Sequence, residues 1–150
     1  MTVLGIDPGI SGAWALLHAD GTLAAGDLPV AGGQIDAATF SALIRSTRPV
    51  AAFVEAVHAM PKQGVASTFK FGMAHGTIIG ALSALQVPTN LVAPTSWKRH
   101  FRLDADKEKA RALALRLWPA AGCFARKKDH GRAEAALIAR FGSEVWGGGR

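Results

Sequence analysis

The sequence predicts one α/β domain in which a mixed β-sheet is flanked by helices. Three short apolar runs separated by turn residues come first and indicate an antiparallel meander. Segments with helical periodicity then alternate with short strands, an order typical of a mixed sheet covered by helices and not of a helical bundle or a β-sandwich. The length of 150 residues fits one domain whose core needs no disulfide or zinc ion.

The first part of the chain is predicted to contain the meander, a helix and a fourth strand. The helix carries Phe40, Leu43 and Ile44 on one face. Pro49 marks the return to an extended chain, where continuous apolarity predicts a strand buried on both faces. The predicted segments are strands at residues 3–6, 13–17 and 21–28, a helix at 36–45 and a strand at 51–57.

The second part of the chain is predicted to be mainly helical. A long helix carries Gly72, Gly76 and Gly80 at every fourth position, so the three glycines share one face. That face suits the close approach of another backbone, either by tight packing within the domain, which we favour, or by a partner helix. The predicted segments are helices at residues 67–85, 107–118 and 131–146 and a strand at 90–93.

Composition is that of a folded protein. The domain is predicted to span residues 1–146, and the glycine-rich residues 147–150 are expected to form a flexible tail. A hydrophobic fraction of 49% with 19% charged residues excludes a mostly disordered chain, and no apolar run is long enough for a membrane span. The N-terminus lacks the features of an export signal and Cys123 is the single cysteine, so we expect a cytoplasmic protein.

The chain is basic, with 17 Lys and Arg against 11 Asp and Glu and a formal net charge of +6. This balance favours a polyanionic partner such as nucleic acid, although a solvated basic surface is an alternative. The basic residues gather in three clusters: Lys98, Arg99, His100 and Arg102; Lys107, Lys109 and Arg111; and Arg126, Lys127 and Lys128.

Three carboxylates stand where the hydrophobic pattern predicts a dry environment. Asp7 ends the first strand, Glu55 interrupts an apolar strand, and Glu134 lies on the core-facing side of the last helix. An ionised carboxylate in such a place must pair with a cation, take up a proton or bind a metal ion. The structural alternatives are a simple Asp-Pro-Gly turn at Asp7, and solvent or an arginine partner at Glu55.

Two residues at the start of the last helix are candidates for the same site. His130 lies one turn before Glu134 on the same face, and Asp129 precedes it. Asp129 could instead cap the helix, and His130 could be an ordinary surface or core histidine. Hard oxygen ligands with one imidazole suit Mg²⁺, or Mn²⁺ in its place, better than zinc. We therefore predict a site for divalent cations of the kind that hydrolyses phosphodiesters.

At these residues the sequence resembles the RuvC-like Holliday junction resolvases, especially the short phage-type members. The resemblance is carried by Gly-Ile-Asp-Pro-Gly-Ile-Ser-Gly at residues 5–12, Phe-Val-Glu at 53–55 and Asp-His-Gly-Arg-Ala-Glu-Ala at 129–135. Residues 67–76 and 94–98 also correspond, so the match spans nearly the whole chain. Relatives often have Asp or His three residues before the last acid, where this chain has Gly131.

The resemblance implies an RNase H-like fold with a five-stranded mixed sheet, in which parallel strands follow the antiparallel meander. It also implies a homodimer, dependence on Mg²⁺, and paired nicks in a four-way DNA junction. It also implies that Asp7, Glu55 and Glu134 are the acidic ligands, and it leaves Asp129 and His130 as alternatives for the fourth. It further implies an enzyme that acts in a bacterial cell and is of the phage-encoded type, and the roles in recombination, in repair and in the clearing of branched phage DNA stay open.

Contacts with DNA are expected from basic and aromatic residues near the acids. Lys98 and Lys107 match basic positions of the family and suit phosphate contacts. The loop at residues 60–64 and the helix after it include Phe69 and Phe71, which could enter an open junction, although core or dimer packing is the interpretation we favour for these rings. The predicted DNA-contacting residues are Lys62, Phe69, Lys70, Lys98, Lys107, Lys127 and Lys128.

Two other functions stay open. An RNase H-like nuclease with another nucleic-acid substrate would use the same acids, and a non-catalytic junction-binding module would fit the irregular last motif. Sugar kinases and related ATPases begin with a similar Gly-rich acidic motif, but 150 residues are too few for their two lobes.

Overall fold

The structure is a computed structural model that describes residues 1–58 and 61–147. The strands are β1 (Thr2–Asp7), β2 (Ala13–His18), β3 (Leu23–Asp27), β4 (Val30–Ala31), β5 (Gln34–Ile35), β6 (Ala51–Glu55) and β7 (Thr89–Val92). The helices are α1 (Ala37–Thr47), α2 (Val65–Ala84), α3 (Pro94–His100), α4 (Lys107–Leu117) and α5 (His130–Gly147), and a short 3-10 helix covers Lys127–Asp129.

Five of the strands form one mixed sheet in the order β3-β2-β1-β6-β7. Strands β1, β2 and β3 form an antiparallel meander, whereas β6 pairs in parallel with β1 and β7 pairs in parallel with β6. The prediction of a mixed α/β sheet with a meander followed by parallel strands is confirmed. The strand order places β1 in the centre, with a neighbour on either side.

Side chains of the central strands alternate between two cores, one on each face of the sheet. Leu4 and Ile6 of β1 belong to the core that α1 and α2 cover. Val3 of β1 and Phe53 of β6 belong to the other core, which is formed with α3, α4 and α5. Because both faces of β1 and β6 are covered, a charged side chain on either strand is tolerated only at its end.

Helix α5 lies directly on the sheet because glycines remove the side chains between them. A Cβ atom at Gly5 would lie 2.1 Å from the backbone oxygen of Ala135, and one at Gly142 would lie 2.3 Å from the ring of Phe53. Neither position could hold a side chain without displacing the helix. The contact fixes the height of α5 above β1 and β6.

Helix ends follow local capping rules. Asp36 caps α1 by accepting a hydrogen bond of 3.1 Å from the backbone N–H of Thr39. Helix α1 ends at Thr47, and the next residue, Arg48, has a left-handed backbone with φ 46° and precedes Pro49. Asp106 caps α4 in the same manner as Asp36 caps α1.

Several elements differ from the sequence prediction. The two-stranded hairpin of β4 and β5 was not predicted, although Gly32 and Gly33 both take the positive φ that such a tight turn requires. Helix α3 was not predicted either, and β6 ends at Glu55 instead of residue 57. Helix α5 includes Gly147, so it extends into the predicted tail. The other tail residues, 148–150, and Met60 of the predicted DNA loop lie outside the described residues.

The glycine face of α2 is open in this chain. Nothing within the described residues lies within 4 Å of a Cβ placed at Gly72, Gly76 or Gly80. The favoured interpretation, tight packing of this face within the domain, is therefore wrong. Among the helices described, none has the length and apolarity needed to cross a membrane.

Candidate active site

Two carboxylates lie at the carboxyl ends of neighbouring parallel strands. Asp7 is the last residue of β1, and Glu55 is the last residue of β6. The parallel register pairs Gly5 with Phe53, which stand two residues before these acids. Because alternate residues of a strand share one face, Asp7 and Glu55 follow Gly5 and Phe53 onto the face covered by α5.

Helix α5 brings a third carboxylate to the same place. Glu134 lies in its first turns and is 7% exposed. A Cβ atom at Gly131, one turn earlier, would lie 3.3 Å from Oδ2 of Asp7, so the start of α5 rests against the end of β1. The sequence prediction that Asp7, Glu55 and Glu134 approach one another agrees with this arrangement.

The three acids line one open groove with a volume of about 560 Å³. The turn after β1, the start of α2 and two lysines complete its walls. Residues that line the groove include Asp7, Ser11, Glu55, Ser67, Lys70, Phe71, Lys98, Lys107, His130 and Glu134.

The groove holds negative charge in a partly dry environment. Burial raises the pKa of Asp7 well above its ordinary value, and the negative charges of Glu134 and Glu55 raise it further. Burial also raises the pKa of Glu55 and that of Glu134. Lys98 and Lys107 oppose the shift at all three acids. The net result is a set of carboxylates that lack sufficient compensating positive charge.

Asp129 lies outside the groove, in a network of ion pairs. Its buried carboxylate accepts hydrogen bonds of 2.8 Å from Nη2 of Arg126 and 2.8 Å from the backbone N–H of the same residue. The guanidinium of Arg132 lies 3.8 Å from Asp129 and also binds Asp27. The hydrogen bonds from Arg126 lower the pKa of Asp129. The structure therefore gives Asp129 cationic partners from within the chain.

His130, by contrast, lines the groove beside the three acids. Its Nδ1 atom is buried and has no hydrogen-bond partner among the residues described. A buried nitrogen in that state has its hydrogen-bonding capacity unused, which distinguishes His130 from the fully engaged Asp129. Of the two candidates for the fourth ligand, only His130 is brought together with Asp7, Glu55 and Glu134.

The groove has the ligand types that a divalent cation prefers without forming a ready-made coordination cluster. Within residues 1–58 and 61–147, no group of three Asp, Glu, His or Cys side chains is arranged to hold a metal ion. In the same ranges Asp7, Glu55 and Glu134 take part in no ion pair. Carboxylate oxygens are the ligands that Mg²⁺ and Mn²⁺ prefer, so the donor set fits either ion.

Glu55 has one partner that the sequence analysis did not identify. The indole Nε1 of Trp97, in α3, donates a hydrogen bond of 2.7 Å to Oε2 of Glu55. This hydrogen bond opposes the effect of burial on the pKa of Glu55. Pro94 at the first turn of α3 was a possible indication of a helix start, but the contact itself joins residues 42 positions apart.

The predicted DNA-contacting residues fall into three groups. Lys70, Lys98 and Lys107 line the groove, so they lie beside the acids. Phe69 is 68% exposed and belongs with Lys70 to a neighbouring cavity of about 250 Å³ under the β4–β5 hairpin. The remaining residues are exposed but do not line the groove: Lys62, Lys127 and Lys128.

Phe71 lines the groove as well, and its ring would lie 3.2 Å from a Cβ at Gly9. The favoured interpretation of Phe69 and Phe71 included core packing, and neither ring belongs to a described core. The core part of that interpretation is wrong, and dimer packing stays a prediction.

Comparison with solved structures identifies the fold. The chain is similar to Thermus thermophilus RuvC in complex with a Holliday junction substrate, with a TM-score of 0.72 and 19% identity over 97% of this chain and 96% of that one. A second structure of T. thermophilus RuvC gives a TM-score of 0.66 and 21% identity, covering 97% of both chains. The fowlpox virus Holliday junction resolvase gives 0.57 and 15%, covering 97% and 99%.

Comparison at the level of sequence, in contrast, gives no match. No family model matches the chain, and no curated protein matches it. The similarity at the level of structure extends over nearly the full length of both partners, and the five-stranded mixed sheet agrees with it. The chain therefore has the RNase H-like fold of RuvC and other Holliday junction resolvases.

Proposed function

We propose that this protein is a metal-dependent endonuclease that resolves four-way or other branched DNA junctions. The observation that carries the proposal is the groove in which Asp7, Glu55 and Glu134 meet beside Lys98 and Lys107. Metal-dependent hydrolysis of a DNA backbone requires carboxylates that bind cations and basic residues that bind phosphates. The groove contains both. The similarity in fold to structures of junction resolvases supports the same substrate class.

Asp7, Glu55 and Glu134 would hold Mg²⁺, with Mn²⁺ able to replace it. When bound, the cations supply an activated water and stabilise the leaving oxygen of the phosphodiester. The charges of Glu134 and Glu55 raise the pKa of Asp7, and the charge of Glu134 also raises the pKa of Glu55, so the three carboxylates would share the binding of the cations. Lys98 and Lys107 orient the DNA phosphate over the acids and offset its charge.

His130 is our choice for the fourth group of the site. Its unpartnered Nδ1 and its place in the groove support this role, whereas Arg126 and Arg132 already neutralise Asp129. Asp129 instead fixes the basic segment that precedes α5, because it binds both the backbone and the side chain of Arg126. Lys127 and Lys128 within this segment would reach the DNA away from the scissile phosphate.

A homodimer would present two such grooves to a symmetric junction. The open face of α2 supports this assembly, since the same helix also has exposed apolar side chains: Val65 is 88% exposed, Phe69 68% and Met73 37%. Sedimentation of the wild type and of Gly76→Arg tests it. A wild type that sediments as a monomer at micromolar concentration would remove the dimer from the proposal.

Cleavage of a labelled four-way junction with Mg²⁺ tests the main proposal. We expect paired nicks at symmetric positions, and loss of cutting with retained junction binding in Glu134→Gln, because that change removes a ligand and no basic residue. A matched control is Glu144→Gln, an exposed acid of the same helix. Absence of nicks at every junction sequence tested, with Mg²⁺ or Mn²⁺, would rule the proposal out.

The same assay separates the other candidate functions. An RNase H-like nuclease of different specificity would cut an RNA–DNA hybrid or a flap more rapidly than the junction. A non-catalytic junction-binding module would bind the junction, but calorimetry would detect no binding of Mn²⁺. For each of these functions we expect a bacterial, cytoplasmic setting. For the junction resolvase we also expect a phage source.

A further inference from the structure

Helix α3 begins directly beside the candidate active site. The register of β6 and β7 pairs Glu55 with Val92, and α3 starts two residues after Val92, at Pro94. Its first turns therefore lie next to the strand end that carries Glu55. Trp97 points inward from this helix and is fully buried in the core on the α5 side of the sheet.

We propose that Trp97 is a positioning residue that fixes the carboxylate of Glu55 through its indole N–H. The proposal rests on the proposed function, in which Glu55 binds a divalent cation. The hydrogen bond from Nε1 to Oε2 measures 2.7 Å, which is short for an N–H donor and typical of a charged acceptor.

An indole suits this role for two reasons. Its N–H can only donate, so Oε2 of Glu55 is held in one orientation and Oε1 is left for a cation. Its rings are rigid and enclosed by the core, so the donor cannot follow the carboxylate if that group rotates. A carboxylate that is held in advance binds a cation without first giving up rotational freedom.

Lys98 adds a second connection between α3 and the groove. Its Nζ atom lies 5.5 Å from the centre of the Trp97 ring, over the face of the indole, and its charge acts on all three acids. Two consecutive residues of α3 thus act on the groove: Trp97 donates a hydrogen bond to Glu55, and Lys98 supplies a positive charge. This arrangement explains why a large aromatic residue, and not a smaller apolar one, occupies position 97.

The Trp97→Phe variant tests the proposal because it keeps a ring in the core and removes only the donor. We expect its affinity for Mn²⁺, measured by calorimetry without DNA, to fall by about 10- to 100-fold. In junction cleavage at a fixed Mg²⁺ concentration, kcat should fall while KM for the junction stays unchanged, since the basic residues remain.

Trp118→Phe is the matched control. Trp118 is 7% exposed, belongs to the same core and packs against Phe124, but it does not line the groove. We expect it to lose a similar amount of stability without change in affinity for Mn²⁺. Equal affinities for Mn²⁺ in wild type and Trp97→Phe, or equal losses in the two variants, would overturn the positioning role.

A spectroscopic measurement decides the matter if Trp97→Phe does not fold. The indole N–H signal of Trp97, assigned in the wild type by nuclear magnetic resonance, should shift when Mg²⁺ is added, and Glu55→Gln should abolish that shift. A signal that is indifferent to Mg²⁺ overturns the proposal. If the wild type itself binds neither Mg²⁺ nor Mn²⁺, the proposed function fails, which is a different result from equal binding by both proteins.

Discussion

Replacing Asp7 with asparagine should stabilise the protein in the absence of metal and abolish its nuclease activity. Asp7 is half-buried, and its pKa is raised by burial and by the charges of Glu134 and Glu55. Asparagine has nearly the same shape but no charge. Because Lys98 and Lys107 already offset part of the repulsion, we expect a gain of about 0.5–2 kcal/mol, within the usual range for a single stabilising substitution. For a domain of this size that is about 1–8 °C in Tm.

The effect must depend on pH in one direction. A raised pKa means that folded Asp7 retains its proton at a pH where the unfolded chain has lost it. The corresponding stability is complete below the unfolded-state pKa and disappears as the pH rises through the folded-state pKa. The wild type should therefore fall behind Asp7→Asn as the pH rises to neutrality, and the two proteins should converge in acid.

Thermal denaturation followed by circular dichroism, in EDTA and from about pH 4 to pH 8, measures this difference. Added Mg²⁺ should reverse the order, since a cation at 100 times its Kd stabilises the wild type by about 2.7 kcal/mol and the variant by less. Asp36→Asn is a control of opposite sign, because hydrogen bonds from the hydroxyl and from the backbone N–H of Thr39 lower the pKa of Asp36. Should Asp7→Asn melt below the wild type at neutral pH in EDTA, Asp7 is a structural residue and the reasoning fails.

Three further substitutions separate the neighbours of the site. Asp129→Asn removes the charge that Arg126 binds, so urea denaturation should show a loss of about 1–3 kcal/mol with unchanged Mn²⁺ affinity. Gly131→Asp places a carboxylate beside Asp7, which should tighten Mn²⁺ binding in calorimetry and lower the Tm in EDTA. Lys107→Gln removes a cation from the groove, so the slope of log junction affinity against log salt should change by about 1.

Each of these predictions has an outcome that contradicts it. Weaker Mn²⁺ binding in Asp129→Asn would return Asp129 to the list of metal ligands. Gly131→Ala is the control for Gly131→Asp, and tighter Mn²⁺ binding in both variants would show that the added carboxylate is not the cause. An unchanged salt slope in Lys107→Gln would place the DNA backbone away from that lysine.

Local patterns in the sequence were sufficient for most of the fold. Alternation and periodicity locate the five main strands and four of the helices because each of these elements contributes apolar side chains to one of the two cores. The β4–β5 hairpin was not predicted because each of its strands has two residues, which is too few for an alternating pattern to be visible. Helix α3 was not predicted because it is only seven residues long and its outward residues are polar and basic.

Prediction of the site was limited by partners that are distant in sequence. Asp7, Glu55 and Glu134 could be selected from the sequence because a charge within an apolar run is visible locally. The bond between Glu55 and Trp97 joins two elements that only the sheet brings together. Asp129 and His130 are adjacent, and the helical spacing that puts His130 on the face of Glu134 does not reveal the hydrogen bonds from Arg126 that occupy Asp129.

The glycine contacts between α5 and the sheet determine how far apart the acids of the candidate active site lie. Gly5 and Gly142 set how far this helix stands from the strands, and the same helix carries Glu134. A methyl group added at Gly5 would lift the helix and widen the gap between Glu134 and Asp7, although neither acid is altered. Substitution of a buried glycine can therefore abolish nuclease activity while the domain still folds. A screen for inactive variants should accordingly recover substitutions at buried glycines as well as at the acids.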